Sequence, residues 1–425
     1  MRWIRRERVP IVIIVGAGFL IRLAWLLHAD PVPVSDFNDY RTLAVGIVDH
    51  GQFGYPEPTS FFLPLHPVYL SVFAFFSRSD VWLGLSMVVL GTISIGLVYL
   101  AALRVLATQR AALIAAGLFA FYPTLVLFSP ILATEHLFVA LMLGAIAVLT
   151  RIDRRPAVYA GIVGILVGCA VLTRGEAVFY VPAILLFIWV GNKLPTPRTR
   201  IIVSALVAAG IFVVVLPWYV RNAIVVDPNA GLSSSAGLNF YFAHNDSGNY
   251  GDFIEGNPLY GLPPEEASRL GWELGFKHIR EHPLNLVKDV WKGTLHLFAS
   301  PDYSVFWATQ QPAYRGDPEF VQRYVRFATT FLQLARMATA GLLAAALLSL
   351  LAYRAWRREL WALIIPLAVS SWLLRTVIYW AKPRYAYFVT VILIFVAAFT
   401  IDVLVGSNRR LPRDGTRRVD VAAGS

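Results

Sequence analysis

Long apolar runs, interrupted at short intervals by arginine clusters, dominate this chain. They lie at about 9–28, 81–103, 111–128, 136–150, 157–173, 177–191, 200–219, 330–353, 360–379 and 385–405. About 20 apolar residues rising 1.5 Å each cover the roughly 30 Å hydrocarbon core of a bilayer, so the pattern predicts about ten transmembrane helices. Two runs, 136–150 and 177–191, are short for that distance, and Pro123, Pro130, Pro182 and Pro217 sit in or beside runs. Proline-broken ends at membrane depth predict backbone that lines a cavity and does not face lipid. The pattern changes in two long stretches, about 29–80 and about 220–329. In the first, Leu43, Ala44, Ile47 and Val48 recur at helical spacing, and the aromatic-rich run 61–76 is too short to cross; both predict elements lying along the membrane surface. In the second, 231–252 is rich in Gly, Ser, Asn and aromatic residues, as a binding loop would be. After it, Pro263-Pro264-Glu265-Glu266 predicts a helix start with acids at the positive end of the dipole, and Pro283 predicts a second amphipathic helix running to about Phe298.

Composition fits this reading. The chain has 425 residues, 57% of them hydrophobic and 15% charged, with a mean hydropathy of +0.61, which predicts an all-α polytopic membrane protein. The net charge of +11 does not indicate nucleic acid, because the arginines form short clusters between apolar runs and not a stripe with interleaved aromatics. Arg2, Arg5, Arg6 and Arg8; Arg104 and Arg110; Arg151, Arg154 and Arg155; Lys193, Arg198 and Arg200; Arg354, Arg357 and Arg358; and five arginines from Arg409 to Arg418 all fall on one side of the alternation. By the positive-inside rule both termini are expected in the cytoplasm and both long loops outside. The first apolar run is too long for a signal peptide, Arg22 interrupts it, and no A-x-A site follows, so an uncleaved span is expected. Cys169 is alone inside a run, which leaves no intramolecular disulfide and no metal-ligand spacing. Residues 1–405 are expected to form one membrane domain and 406–425 a disordered basic tail.

Several polar side chains fall on the expected outer side. The stretch Ser35-Asp36-Phe37-Asn38-Asp39-Tyr40 puts two acids just after the first run, and helical spacing would bring Asp36, Asp39 and Tyr40 together. A solvated loop with an Asp helix cap would explain these residues equally well. Glu135 begins the fourth run, Arg174 and Glu176 lie between the fifth and sixth, Arg221 and Asn222 end the seventh, and Lys382 and Arg384 precede the tenth. Any one of these could be snorkelling to the interface. Together, four segments offering cations beside a loop offering carboxylates suit an anionic lipid-linked substrate and acid–base chemistry on it.

The segments Asp36-x-x-x-Tyr40, Thr-Ser-Phe-Phe-Leu-Pro-Leu-His-Pro over 59–67, Thr134-Glu135, Leu172-Thr173-Arg174, Pro217-Trp218-x-x-Arg221-Asn222 and Arg384-Tyr385 together resemble the GT-C glycosyltransferases of the protein-mannosyltransferase and aminoarabinose-transferase type. The resemblance covers about residues 10–405. It implies transfer of a sugar from a polyprenyl-phosphate donor to an envelope glycan, lipid or protein acceptor on the extracytoplasmic face, with inversion. It also implies Asp36 as the general base, where the family usually carries an Asp-Glu pair and this chain has Phe37. Asp39, Tyr40, His66, Glu135, Arg174, Arg221, Lys382, Arg384 and Tyr385 are then expected to bind substrate, with Arg221 and Arg384 the first choices for the donor phosphate. No glycine-rich nucleotide loop and no dense Asp/His set is present, so no cofactor and no obligatory metal is expected. The alternative is a transporter or flippase for an anionic lipid-linked substrate, because Arg22, Arg336, Arg375 and Asp402 lie within or at the edges of runs. A non-catalytic scaffold would leave the acid and cation cluster unexplained.

Overall fold

The computed structural model describes residues 2–29, 31–54, 57–245, 256–299, 307, 318–351, 356–378 and 386–407. Among them the architecture is all-helical, with a single isolated bridge between Gly54 and Pro58. Seven helices are long and apolar enough to cross a membrane: Val9–Ala29 within α1 (Arg2–Ala29), α4 (Asp80–Val105), α8 (Pro156–Thr173), α10 (Pro197–Val225), Thr329–Leu351 within α14 (Pro318–Leu351), Leu360–Ile378, and Tyr387–Gly406 within α16 (Tyr387–Ser407). The other three apolar runs are also helical, but shorter: Gln109–Phe121, Thr134–Leu149 and Gly175–Val190.

The run expected at 111–128 is not one helix. It divides into α5 (Gln109–Phe121) and α6 (Pro123–Leu127), and Tyr122 between them is extended, at φ −66° and ψ 121°. Pro123 explains the break, because its ring disfavours helical backbone at the preceding residue and it has no N–H to return to the Phe119 carbonyl. Arg22 of α1 caps the broken end. Its guanidinium donates to Ala120 O at 2.7 Å, Phe119 O at 3.2 Å and Gly18 O at 3.0 Å. Trp25, one turn further along, closes α6 through an Nε1–H bond to Leu127 O at 2.8 Å. An arginine that is only 1% exposed inside an apolar bundle thus satisfies carbonyls that lipid could not.

α8 and α10 pack closely through small residues. A Cβ added at Gly164 would come within 2.4 Å of Val207 O, and one at Gly210 within 2.9 Å of the Gly164 Cα. This is the close backbone approach that replaces hydrophobic driving force between helices in lipid. At the end of the bundle away from the long loops, Asp402 accepts from Thr108 Oγ1 at 2.8 Å and pairs with Arg110, and Lys193 reaches Glu359 at 2.8 Å.

The two long loops cover the opposite end, called the loop face below. The first contributes α2 (Asp36–His50), whose Leu43 and Ala44 are fully buried, and α3 (Leu65–Ala74). The second contributes α11 (Ser235–Ala243), α12 (Pro264–Glu281) and α13 (Pro283–Ala299). Both amphipathic helices of the second loop begin at the prolines that marked them in the sequence. α11 and α12 approach so closely that a Cβ at Gly237 would overlap Ser268 O, at 1.8 Å. The loops are joined to each other: Ser234 N donates to Ser60 O at 3.0 Å, Ser60 Oγ to Glu265 Oε1 at 2.9 Å and Ser233 Oγ to Phe61 O at 2.7 Å.

Candidate active site

Asp36 is the first residue of α2, and the chain enters that helix through Ser35 at φ 53° and ψ −140°. A non-glycine residue in this region is strained, and such strain concentrates at functional sites. Asn38 N and Asp39 N both return to Ser35 O, at 2.9 and 3.3 Å. Asp39, nearly a full turn past Asp36 on the same face, has its carboxyl raised above the ordinary range, first by burial and then by the charge on Asp36. Phe37 is buried and packs edge-on against Trp307 at 5.3 Å between ring centroids. The position that departs from the family's acidic pair is therefore a packing residue.

Tyr40 turns its ring edge-on to Phe62 at 5.0 Å and to His66 at 5.2 Å. His66 is fully buried, and burial pushes its imidazole down to about 4. Its Nε2 lies 3.1 Å from Leu132 O. A carbonyl only accepts, so Nε2 carries the proton and Nδ1 is left as an acceptor, with no hydrogen-bond partner among the described residues. The charges of Glu135, Arg174 and His136 all act on this ring, which places α3 beside the second group of candidates.

That group is a chain of alternating charges. At the start of α7 (Thr134–Leu149), Glu135 Oε1 lies 2.9 Å from Arg174 Nη1, which also donates to Thr134 Oγ1 at 2.8 Å. Arg174 Nε donates to Glu176 Oε1 at 3.0 Å. Arg375 grips the same carboxylate with both terminal nitrogens, at 2.5 and 2.6 Å. Glu135–Arg174–Glu176–Arg375 is thus a neutral, largely buried chain joining α7, the α8–α9 connection and the π-helical turn Leu374–Ile378, where α9 is Val181–Val190 and α15, Ile365–Leu373, precedes that turn. Beside it, His136 Nε2 lies 3.0 Å from Phe128 O and its Nδ1 lies 3.1 Å from the Tyr387 hydroxyl. His66 and His136 therefore hold the two ends of the same α6–α7 connection.

Arg221, at the loop-face end of α10, is committed to the first loop. Its Nη1 donates to Thr59 O at 2.8 Å and to Asn222 Oδ1 at 3.0 Å, its Nη2 donates to Phe53 O at 3.0 Å, and its guanidinium lies 4.8 Å from the Trp218 ring centroid. Lys382, Arg384 and Tyr385 lie outside the described residues. Among the described residues, no three His, Cys, Asp or Glu side chains converge as metal ligands would. The structure thus brings together Asp36 with Asp39, Tyr40 with His66, and Glu135 with Arg174. Arg375, His136 and Tyr387 join the network without having been assigned to it from the sequence. A charge inside an apolar run was the signal for Arg375; His136 and Tyr387 carried only adjacency to Glu135 and Tyr385.

Residues 64–220 match the model of the family described as dolichyl-phosphate-mannose-protein mannosyltransferase. No curated protein shows a significant sequence match to the chain. Among solved structures, the oligosaccharyltransferase AglB of Archaeoglobus fulgidus, in complex with an inhibitory peptide and a dolichol-phosphate, is similar with a TM-score of 0.54 and 15% identity, over 93% of this chain and 50% of that one. The apo form of the Archaeoglobus fulgidus oligosaccharyltransferase is similar with a TM-score of 0.55 and 15% identity, over 94% of this chain and 51% of that one. ArnT of Cupriavidus metallidurans bound to undecaprenyl phosphate is matched at a TM-score of 0.45 and 16% identity, over 95% of this chain and 79% of that one. This chain spans about half the length of the archaeal structures it matches. The fold is the GT-C fold of membrane glycosyltransferases, in a multi-pass membrane protein. The resemblance read from the motifs is borne out by the family match and the fold.

Proposed function

We propose that the chain is a membrane glycosyltransferase that moves a sugar from a polyprenyl-phosphate donor to an acceptor hydroxyl at the loop face, with inversion. The observation that carries this reading is Asp36 at the strained N-terminus of α2, in the same layer as the Tyr40–His66 pair and the buried Glu135–Arg174 chain, on a GT-C fold. In the proposed step the acceptor oxygen bonds to the anomeric carbon as its proton passes to the Asp36 carboxylate. The bond from that carbon to the phosphate oxygen breaks, and the phosphate monoester leaves with the electron pair. It needs cations more than an acid. Arg174 is already shared between two carboxylates and Arg221 between two carbonyls. The proposal therefore assigns the phosphate to Lys382 and Arg384 and gives Arg174 and Arg221 the work of holding the site's walls. Glu135, anchored by Arg174, positions substrate hydroxyls. The clustering of basic residues at the end opposite the loops supports cytoplasmic termini and an extracytoplasmic site.

The test is mass spectrometry of lipid-linked sugars and envelope glycans in cells lacking the protein, complemented with wild type or Asp36→Asn. Accumulation of a polyprenyl-phosphate sugar, loss of one glycan, and correction by wild type only are expected. Correction by Asp36→Asn would remove that residue from the chemistry, and unchanged lipids and glycans on deletion would overturn the transferase reading.

A further inference from the structure

The second loop is joined by side-chain hydrogen bonds to the turn that carries Arg375. His244 directly follows α11, inside the Gly-, Ser- and Asn-rich stretch 231–252, and is only 2% exposed. Its Nε2 lies 2.8 Å from Val377 O. A carbonyl only accepts, so Nε2 carries the proton. Burial is the largest influence on this imidazole and holds it below the usual range, which leaves a neutral ring donating at that nitrogen. Phe240 of α11 packs on the ring at 4.8 Å between centroids. A second tie comes from α13, where Thr294 Oγ1 accepts from Trp372 Nε1 at 2.9 Å.

Both ties land on 371–377, a stretch that is also held from within the bundle. Ser371 Oγ donates to the Tyr180 hydroxyl at 2.9 Å, and Arg375 grips Glu176 with both terminal nitrogens. Ser371 and Arg375, four residues apart, thus serve the bundle, whereas Trp372 and Val377, five apart, serve the second loop. The turn Leu374–Ile378 between these ties is π-helical, a rare geometry that is frequent at functional sites. The ion pair joins Arg375 to Glu176; the bonds at Trp372 and Val377 join the turn itself to the second loop.

We propose that His244, assisted by Thr294, is a positioning residue for the transfer: it fixes the turn Leu374–Ile378 to the second loop, so that Arg375 holds Glu176 where Arg174 can present Glu135 to substrate. This role rests on the transferase reading above. It makes the second loop part of the geometry of the charge chain, and the same loop holds Ser60 and Phe61 of the first loop. One neutral hydrogen bond contributes little to overall stability, whereas a misplacement of about 1 Å can cost about a hundredfold in rate. Loss of the tie is therefore expected to appear in the rate and not in unfolding.

The test compares His244→Gln, whose amide nitrogen donates from nearly the place of Nε2, with His244→Phe, which keeps a ring and donates nothing. On the full chain in detergent, hydrogen exchange over 374–378, read by mass spectrometry, is expected to quicken about tenfold in His244→Phe, the size of one lost hydrogen bond, and to stay within about twofold of wild type in His244→Gln. In the deletion strain, envelope glycan is expected to form about ten- to a hundredfold more slowly with His244→Phe than with wild type, and His244→Gln to restore it. Binding of undecaprenyl phosphate to both purified variants and their thermal unfolding are expected to stay near wild type. Unchanged exchange in His244→Phe, or equal loss of glycan in both variants, overturns the proposal. Full activity of His244→Phe where deletion abolishes the glycan strikes the positioning role alone. Unaltered lipids and glycans on deletion overturn the transferase reading and the positioning role with it. If His244→Phe elutes as aggregate, Thr294→Val against Thr294→Ser takes its place with the same expected contrast, because only the serine keeps an acceptor for Trp372.

Discussion

The two ends of the bundle use charge differently. Away from the loops, Arg110–Asp402 and Lys193–Glu359 join helix ends, and the cations stay partly in solvent, at 40% and 27% exposure. At the loop face, Glu135, Glu176 and Arg375 are between 3% and 6% exposed, and each carboxylate has an arginine partner. Surface pairs contribute about 0–1 kcal/mol and are readily exchanged. Buried pairs gain little net stability over apolar side chains, yet losing one partner leaves an uncompensated charge. A chain of four such groups is thus a poor way to stabilise a fold and a good way to hold one geometry. Its position beside His66 and α2 supports the view that the geometry held is that of a site.

The largest expected effect lies in the chemistry. Asp36→Asn is expected to lower the transfer rate by about two to four orders of magnitude, while thermal unfolding of the purified protein and binding of polyprenyl phosphate stay near wild type. Turnover within threefold of wild type would shift attention from α2 to the charge chain.

Breaking the chain comes next. Arg375→Ala should destabilise by about 3–5 kcal/mol, because Glu176 keeps only Arg174 in a buried setting. The double variant Glu176→Leu with Arg375→Leu removes a whole pair and is expected to recover most of that loss, as judged by thermal unfolding in detergent. If the single variant melts like wild type, the contrast between the two ends disappears.

Glu135→Gln keeps the shape and removes one charge. An activity loss of about tenfold is expected, the size of one charge-assisted hydrogen bond, and smaller than that of Asp36→Asn in the same assay. Arg221→Lys tests whether that residue supports the loop. A lysine cannot reach Thr59 O and Phe53 O while lying flat on Trp218, so proteolysis within 53–61 should rise, with a destabilisation of about 1–2 kcal/mol.

The smallest effect belongs to the far end. Asp402→Asn should change stability by about 0–1 kcal/mol and leave transfer unaltered, because Arg110 remains partly hydrated. A large loss there would mean that the bundle depends on both ends alike.

Much of the fold was legible because its signals are local. Among the described residues every apolar run is helical, the one at 111–128 as two helices broken at Tyr122, Pro264 and Pro283 open the two amphipathic helices, and Asp36 and Asp39 fall on one face because helical spacing requires it. The proline break at Tyr122 was half legible: Pro123 predicted backbone out of contact with lipid, but not that Arg22, about a hundred residues earlier, would cap it. Partner choice at the site was not legible at all. Arg375 and Glu176 are 199 residues apart, and nothing in either neighbourhood names the other. Arg221 read as a phosphate ligand because a guanidinium at a helix end suits phosphate; only the tertiary structure brings the Phe53 and Thr59 carbonyls onto its terminal nitrogens.

The amino-acid sequence by itself determined the membrane class, the helical runs and the residue types available at the loop face, since hydropathy, helical period and proline chemistry act over a few neighbouring residues. The tertiary structure alone decided which cations are already paired and which histidine nitrogen is left as an acceptor. Those outcomes depend on the low-dielectric packing of segments that meet only after the chain has folded.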